Sequence, residues 1–229
     1  MQHEASGHAT YRTWCRFCVQ GKARASAHVP QGRFASELPE VVADFCEFPR
    51  NGCLKMVFKD RASCAFGAST VTDLTADSRH SIRFVKAFFQ QLCHRRILLK
   101  SDGEPALCAL LRNAVAATAG LECVQRNSAP GDPASNGAAE RAVSEVKAHL
   151  RVLLADLLSR YPDMDGGSPL LPWMPRHVGT CLTRFRILGD GRTAHWRLCG
   201  RRFNRPVVRF GEVVDFISTG SCTFVSAVL

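Results

Sequence analysis

The chain has 229 residues, 46% of them hydrophobic, and carries 30 Lys and Arg against 20 Asp and Glu for a formal net charge of +10. That size and apolar content support a packed domain with smaller appended pieces and exclude a wholly disordered chain. No apolar run reaches the roughly 18 residues that would suggest a membrane span, and the basic excess favours a polyanionic partner, nucleic acid first, over plain solubility charge.

Residues 1–30 are poor in aliphatic side chains and rich in His, Cys, Arg and Lys. They read as a small separate module or arm, with no apolar segment of the kind a signal peptide needs. Within it His3, His8, Cys15 and Cys18 make a His/His/Cys-x2-Cys set, a reasonable tetrahedral Zn²⁺ site. The competing reading is a basic arm that touches nucleic acid through Arg16, Lys22 and Arg24. The other nine of the eleven cysteines are scattered singly, which suits reduced thiols better than a disulfide framework. "VPQGRFASELPE" (29–40) reads as a linker.

From residue 41 the pattern changes. "VVADFCEF", "CLKMVFKD" and "CAFGASTVTDL" predict three strands in a meander. "SRHSIRFVKAFFQQLCHR" places Ile82, Val85, Phe89 and Leu92 at helical spacing. "RILLKSD" predicts a fourth strand, "EPALCALLRNAVAATAG" a helix stopping at Gly120, and "LECVQRN" a fifth strand. "SAPGDPASNG" (128–137) predicts a loop. A long helix follows in "AAERAVSEVKAHLRVLLADLLSRY", then a further helix near Trp173 whose first turn Pro175 disturbs. The tail from about Asp190 is basic and turn-rich, with "VVRFGEVVDFIS" as a hairpin. This order predicts an α/β fold, a five-stranded mixed sheet with flanking helices plus the His/Cys arm. The expected divisions are 1–30, 36–188 and 189–229.

Three acids fall at informative points. Asp44 lies inside the first strand, Asp102 closes the fourth, and Glu140 opens the long helix. If the first and fourth strands are neighbours, Asp44 and Asp102 face each other about 5 Å apart. Two carboxylates that close repel, and a bound Mg²⁺ or Mn²⁺ removes the conflict. At about 100° per residue, Glu140, Ser144, Lys147 and Arg151 share one helix face, beside a stripe of Val143, Val146, Leu150, Leu153 and Leu157. An acid followed by two bases suits a metal at the top and a phosphate backbone below. Taken singly each acid also has an ordinary role, in a turn or in the first turn of a helix.

The pattern "VVADF…LLKSDGEPA…SNGAAERAV" resembles the catalytic core of retroviral-type integrases, most nearly the integrase segment of copia-like retrotransposon Pol polyproteins. The 37 residues between Asp102 and Glu140 match the spacing of that family's Asp-Asp-Glu signature. The resemblance implies a ribonuclease-H-like fold with Asp44, Asp102 and Glu140 as catalytic, metal-holding residues. It implies a magnesium-dependent polynucleotidyl transferase that trims element DNA ends and joins them to target DNA. It further implies DNA as partner, a homo-oligomer, and action in the nucleus, after a cytoplasmic particle stage. Asn136 and Gly137 would shape the loop before Glu140 and touch DNA, or else cap the helix; Ser144, Lys147 and Arg151 would contact DNA along it. The family also carries an N-terminal His-His-Cys-Cys zinc module, but with a longer gap between the second His and the first Cys than the six residues here. The arm is therefore a shortened zinc module, or His28 replaces one ligand, or zinc is lost. Eight arginines in 184–216, with three aromatic residues before the final hairpin (Phe185, Trp196, Phe203), suggest a nucleic-acid surface. Two alternatives stand beside an active integrase: a catalytically inactive, retroelement-derived DNA-binding protein, and another ribonuclease-H-like nuclease, against which "SNGAAERAV" argues.

Overall fold

The computed structural model describes residues 2–22, 38–48, 54–71, 73, 75–127, 133–217 and 224–228. His28, most of the 29–40 linker and residues 128–132 lie outside the described residues. Three strands open the core: β1 (Glu40–Glu47), β2 (Leu54–Asp60) and β3 (Phe66–Thr70). Helix α3 (Arg79–Leu92) leads to β4 (Arg96–Ser101), and α4 (Pro105–Ala116) to β5 (Glu122–Asn127). The helices before these strands are α1 (Gln2–Ala5) and α2 (Arg16–Lys22), both in the N-terminal arm. Following β5 come α5 (Pro133–Arg160), a 3-10 turn (Leu171–Trp173), α6 (Met174–Phe185), α7 (Ala194–Cys199) and a two-stranded hairpin of β6 (Val213–Ile217) and β7 (Phe224–Val228).

The five strands form one sheet in the order β3-β2-β1-β4-β5. β1 runs antiparallel to β2 and parallel to β4, and β4 parallel to β5. Parallel neighbours need a crossover, which α4 supplies between β4 and β5. Alternation along β1 divides the core. Val41 and Ala43 pack with α3 and α4, while Val42, Cys46 and Phe48 pack with α5 and α6. On α5, Val146, Leu150, Leu153 and Leu157 are all buried in this second layer, so the predicted apolar stripe is the face that meets the sheet.

Several boundaries differ from expectation; α4, for one, ends at Ala116 and not at Gly120. The long helix begins at Pro133, so half of the expected 128–137 loop is helical. Proline at the first helical position costs nothing, because that N–H has no intrahelical partner. Asn136 and Gly137 are therefore the fourth and fifth residues of the helix, and neither is the residue that caps it. The hairpin is formed by β6 and β7, pairing Val213 with Val228; residues 207–210 are not in a strand. Pro175 is tolerated because it falls in the first turn of α6.

The arm docks on the outer side of α5. Cys15, Phe17 and Cys18 bury themselves against Val152 and Ala155. Gly21 comes so close that a Cβ there would meet Val152 Cγ2 at 2.1 Å. Arg151 donates to the Gly21 carbonyl at 3.3 Å and His149 Nε2 lies 3.4 Å from the Ala9 carbonyl oxygen.

Candidate active site and metal centre

β1 and β4 position the first two acids. Their parallel register pairs Val42 with Lys100. The pairing ends there; Asp44 lies two residues further along β1, and Asp102 is the residue that follows the end of β4. Asp44 falls between Val42 and Cys46 in the alternation, so its side chain faces the α5 layer, where Glu140 lies. The chain turns directly after β4 through Gly103, at φ +87°, a conformation that favours glycine. Asp102 Oδ1 accepts the Glu104 N–H at 3.0 Å, which fixes that carboxylate at the mouth of α4.

The electrostatics show that the acids share one field. Asp44 is half-buried, and its carboxyl is pushed up from 3.8 to about 6. Burial is the largest cause, and the negative charges of Asp102, Glu104 and Glu140 each add to it. Glu104 is itself raised, by burial first and then by Asp102. The sequence reading passed over Glu104, although it lies in the same Asp-Gly-Glu tripeptide. Positive charge approaches from the other side. Burial pushes the Cys46 thiol up, while Lys147 and Lys55 pull it down. Lys147 is therefore near enough to act on the Cys46 thiol. Lys55 was missed; it is 1% exposed, pairs across the strands with Cys46, and stands 5.7 Å from the Phe48 ring centroid. A lysine inside the apolar run "LKMVF" is the signal that would have found it, since buried charge needs a partner.

The remaining predicted residues lie along α5. Glu140, Ser144 and Arg151 are exposed and Lys147 half-buried. Arg151 is engaged by the arm, as described. Asn136 and Gly137 occupy the turn before Glu140. Glu145, next on the helix, is a brace: Lys59 at 3.2 Å and Arg186 hold its carboxyl low against burial. Among the described residues the acids do not form a compact group of ligand atoms. A divalent cation fits the donor set, which is hard oxygen on a face flanked by lysines.

The second cluster is tighter. Among the described residues, His3, His8, Cys15 and Cys18 form the one group whose ligand atoms all lie within 4.8 Å of one another. His8 Nδ1 is 3.1 Å from His3 Nε2 and 3.3 Å from Cys15 Sγ. Cys18 Sγ is 3.5 Å from His3 Nε2 and 3.9 Å from His8 Nδ1. The edges of a zinc tetrahedron with N and S ligands are about 3.3–3.8 Å, from bonds of about 2.0–2.3 Å. These four side chains fit zinc. The short gap between His8 and Cys15 is sufficient because Gly7 and His8, at φ +63° and +55°, fold the chain back and α5 provides the floor. Gly7 is required there, since a Cβ would sit 2.5 Å from Cys181 Sγ.

No family model matches the chain, and no curated protein does. Solved structures do match. A chain of the simian T-cell lymphotropic virus intasome, in complex with PP2A regulatory subunit B56 gamma, aligns over 85% of this chain with a TM-score of 0.52 and 18% identity. The present chain spans 66% of that one, just under two thirds. The catalytic core domain of BIV integrase aligns over 69% of this chain and 93% of its own, at 20% identity and a TM-score of 0.42. The HTLV-2 integrase catalytic core domain in complex with magnesium aligns over 72% and 99%, at 16% identity and 0.43. The likeness is one of fold, and the intasome chain carries it: the mixed five-stranded sheet with flanking helices is an integrase-core fold.

Proposed function

We propose that the chain is a retrotransposon-type integrase, a metal-dependent polynucleotidyl transferase that trims element DNA ends and joins them to target DNA. The observation that carries this reading is the field at Asp44. On an integrase-type fold, Asp102 just past the neighbouring strand and Glu140 on α5 both act on its carboxyl.

In this reading Asp44, Asp102 and Glu140 hold two Mg²⁺ or Mn²⁺ ions. Such ions supply Lewis-acid activation of the attacking oxygen and stabilisation of the leaving one. The chain's own groups do the positioning. Asp44, ionised above about pH 6, would offer its carboxylate to the metal. Lys147, with Ser144 beside it, lies along the direction a phosphate backbone would take down α5. In trimming, water would attack a phosphorus near the element end, forming a P–O bond as the P–O3′ bond breaks and leaves a free 3′-hydroxyl. The trimmed 3′-hydroxyl as nucleophile forms the new P–O bond to target DNA while the target's own P–O3′ bond breaks in line. The His3/His8/Cys15/Cys18 arm holds structural zinc. The reading carries with it DNA as partner, a homo-oligomer, and action in the nucleus.

The test is a strand-transfer assay with duplex ends and Mn²⁺ or Mg²⁺. The parent chain transfers strands, and Asp102→Asn abolishes transfer while DNA binding persists. DNA binding without transfer by the parent would replace this reading with that of a catalytically inactive DNA-binding descendant.

A further inference from the structure

Asp156 lies on α5 with 0% exposure, inside the leucine stretch "VLLADLLS". A buried carboxylate of this kind must be paired, and its partners come from three parts of the chain. Arg209 grips it with both ends of the guanidinium, through Nε at 3.1 Å and through a second, shorter contact to the other oxygen. Arg160, one turn along α5, reaches it at 3.3 Å. The third partner is His8. Its Nδ1 faces the cysteines and His3, while Nε2 points to Asp156 Oδ1 at 3.9 Å. That Nε2 is buried and has no hydrogen-bond partner among the described residues. Metal-ligating imidazoles almost always place the second ring nitrogen against a carboxylate or carbonyl, which fixes the tautomer and the ring plane.

The same carboxylate anchors the segment that leads to the C-terminal hairpin. Arg160 donates to the Phe210 carbonyl at 2.6 Å, and Tyr161 Oη to the Gly211 carbonyl at 2.9 Å. Phe210 is buried with its ring 4.9 Å from that of His177. Gly211, at φ +75°, lies so close to α5 that a Cβ would meet Leu157 Cδ1 at 2.7 Å. Glu4, in α1 of the arm, stands 4.0 Å from Arg209. The arm and the C-terminal segment therefore meet at one buried charge.

We propose that Asp156 is the outer-sphere positioning residue of the His/Cys metal site and the clasp through which metal loading holds residues 205–212 on the long helix. This rests on the reading of the arm as a zinc site. With zinc on Nδ1, His8 is held in the tautomer that turns an Nε2–H toward Asp156. That fixes the carboxylate in the orientation Arg209 grips. Without the metal, neither imidazole nitrogen is committed, and the arm's half of the clasp is lost.

The test uses the intact chain and two readouts. Zinc affinity is measured by competition with a chromogenic chelator, and the protection of residues 205–212 by hydrogen–deuterium exchange. Asp156→Asn weakens zinc by about 10–100-fold, the range for loss of an outer-shell partner. Arg209→Gln leaves zinc affinity within about two-fold but speeds exchange in 205–212. Chelating zinc from the parent chain speeds exchange there about ten-fold or more, while β1–β5 keep their protection. This last arm decides the matter even if Asp156→Asn does not fold. A parent chain that binds one zinc, but whose 205–212 protection ignores chelation, overturns the clasp and leaves the metal site standing. Unchanged zinc affinity in a folded Asp156→Asn overturns the positioning role. A parent chain that binds no zinc overturns both the metal reading and the clasp.

Discussion

Replacing Asp44 with Asn removes a carboxyl that the fold holds near pH 6 rather than 3.8. Below pH 4 the group is protonated in both the folded and unfolded chain and contributes nothing. Between about 4 and 6 the unfolded chain has released its proton and the folded chain has not. The folded state then binds more protons, so this group lowers stability as pH rises through that window. Above 6 the full penalty persists. The shift corresponds to about 3 kcal/mol unscreened, and to about 1–2 kcal/mol once the half-exposed position is allowed for. His177 titrates in an overlapping window with the opposite sign. Burial, helped by Arg184, depresses it to about 4, so its contribution is lost as pH falls. Comparing parent with variant cancels that effect. Thermal melts at pH 4 and pH 7 then isolate Asp44. Asp44→Asn should melt about 2–8 °C above the parent at pH 7, the range for a chain of this size, and level with it at pH 4. Millimolar Mg²⁺ should raise the parent's melting temperature at pH 7 and leave the variant's unchanged. Equal melting temperatures at pH 7, or the same gap at both pH values, would refute the crowded-acid account.

Three further outcomes follow from the packing and the arm. Cys18→Ser should lower the zinc content of purified protein from one equivalent to below about half, read by elemental analysis, because a neutral hydroxyl replaces a thiolate ligand. Gly179→Ala should destabilise the chain by about 1–3 kcal/mol in urea denaturation, since the new Cβ would lie 2.9 Å from the Ala68 backbone nitrogen, where α6 crosses β3. Leu153→Ala, at the centre of the α5 stripe and 1% exposed, should cost about 2–5 kcal/mol in the same assay.

The sheet was legible because its central strands are short apolar runs, buried almost continuously, with turn residues between them. Asp44 and Asp102 could be placed side by side once β1 and β4 were taken as neighbours, and the 3.6-residue period of α5 put Glu140 at the edge of its buried face. Other features were hidden for physical reasons. "PASNG" has loop composition, yet Pro133 is favoured in a first turn, and the packing of α5 below it carries the helix upward. The arm has too few aliphatic residues to signal α1 or α2; its short helices exist because α5 gives them an apolar floor. Residues 207–210 look like a strand by composition, but Arg209 gives its guanidinium to Asp156 on α5, and Phe210 gives its carbonyl to Arg160 on α5 and its ring to His177 on α6. Lys55 and Asp156 each carried a readable sign, a charge inside an apolar run. What the sequence withheld was which distant groups would meet that charge.

The most direct test of the proposed site is anomalous diffraction from crystals soaked in Mn²⁺. The account predicts a manganese peak about 2.0–2.4 Å from carboxylate oxygens of both Asp44 and Asp102, with Glu140 on the same or an adjacent ion. Manganese bound elsewhere, or carboxyl groups of the three acids more than about 12 Å apart, would contradict it.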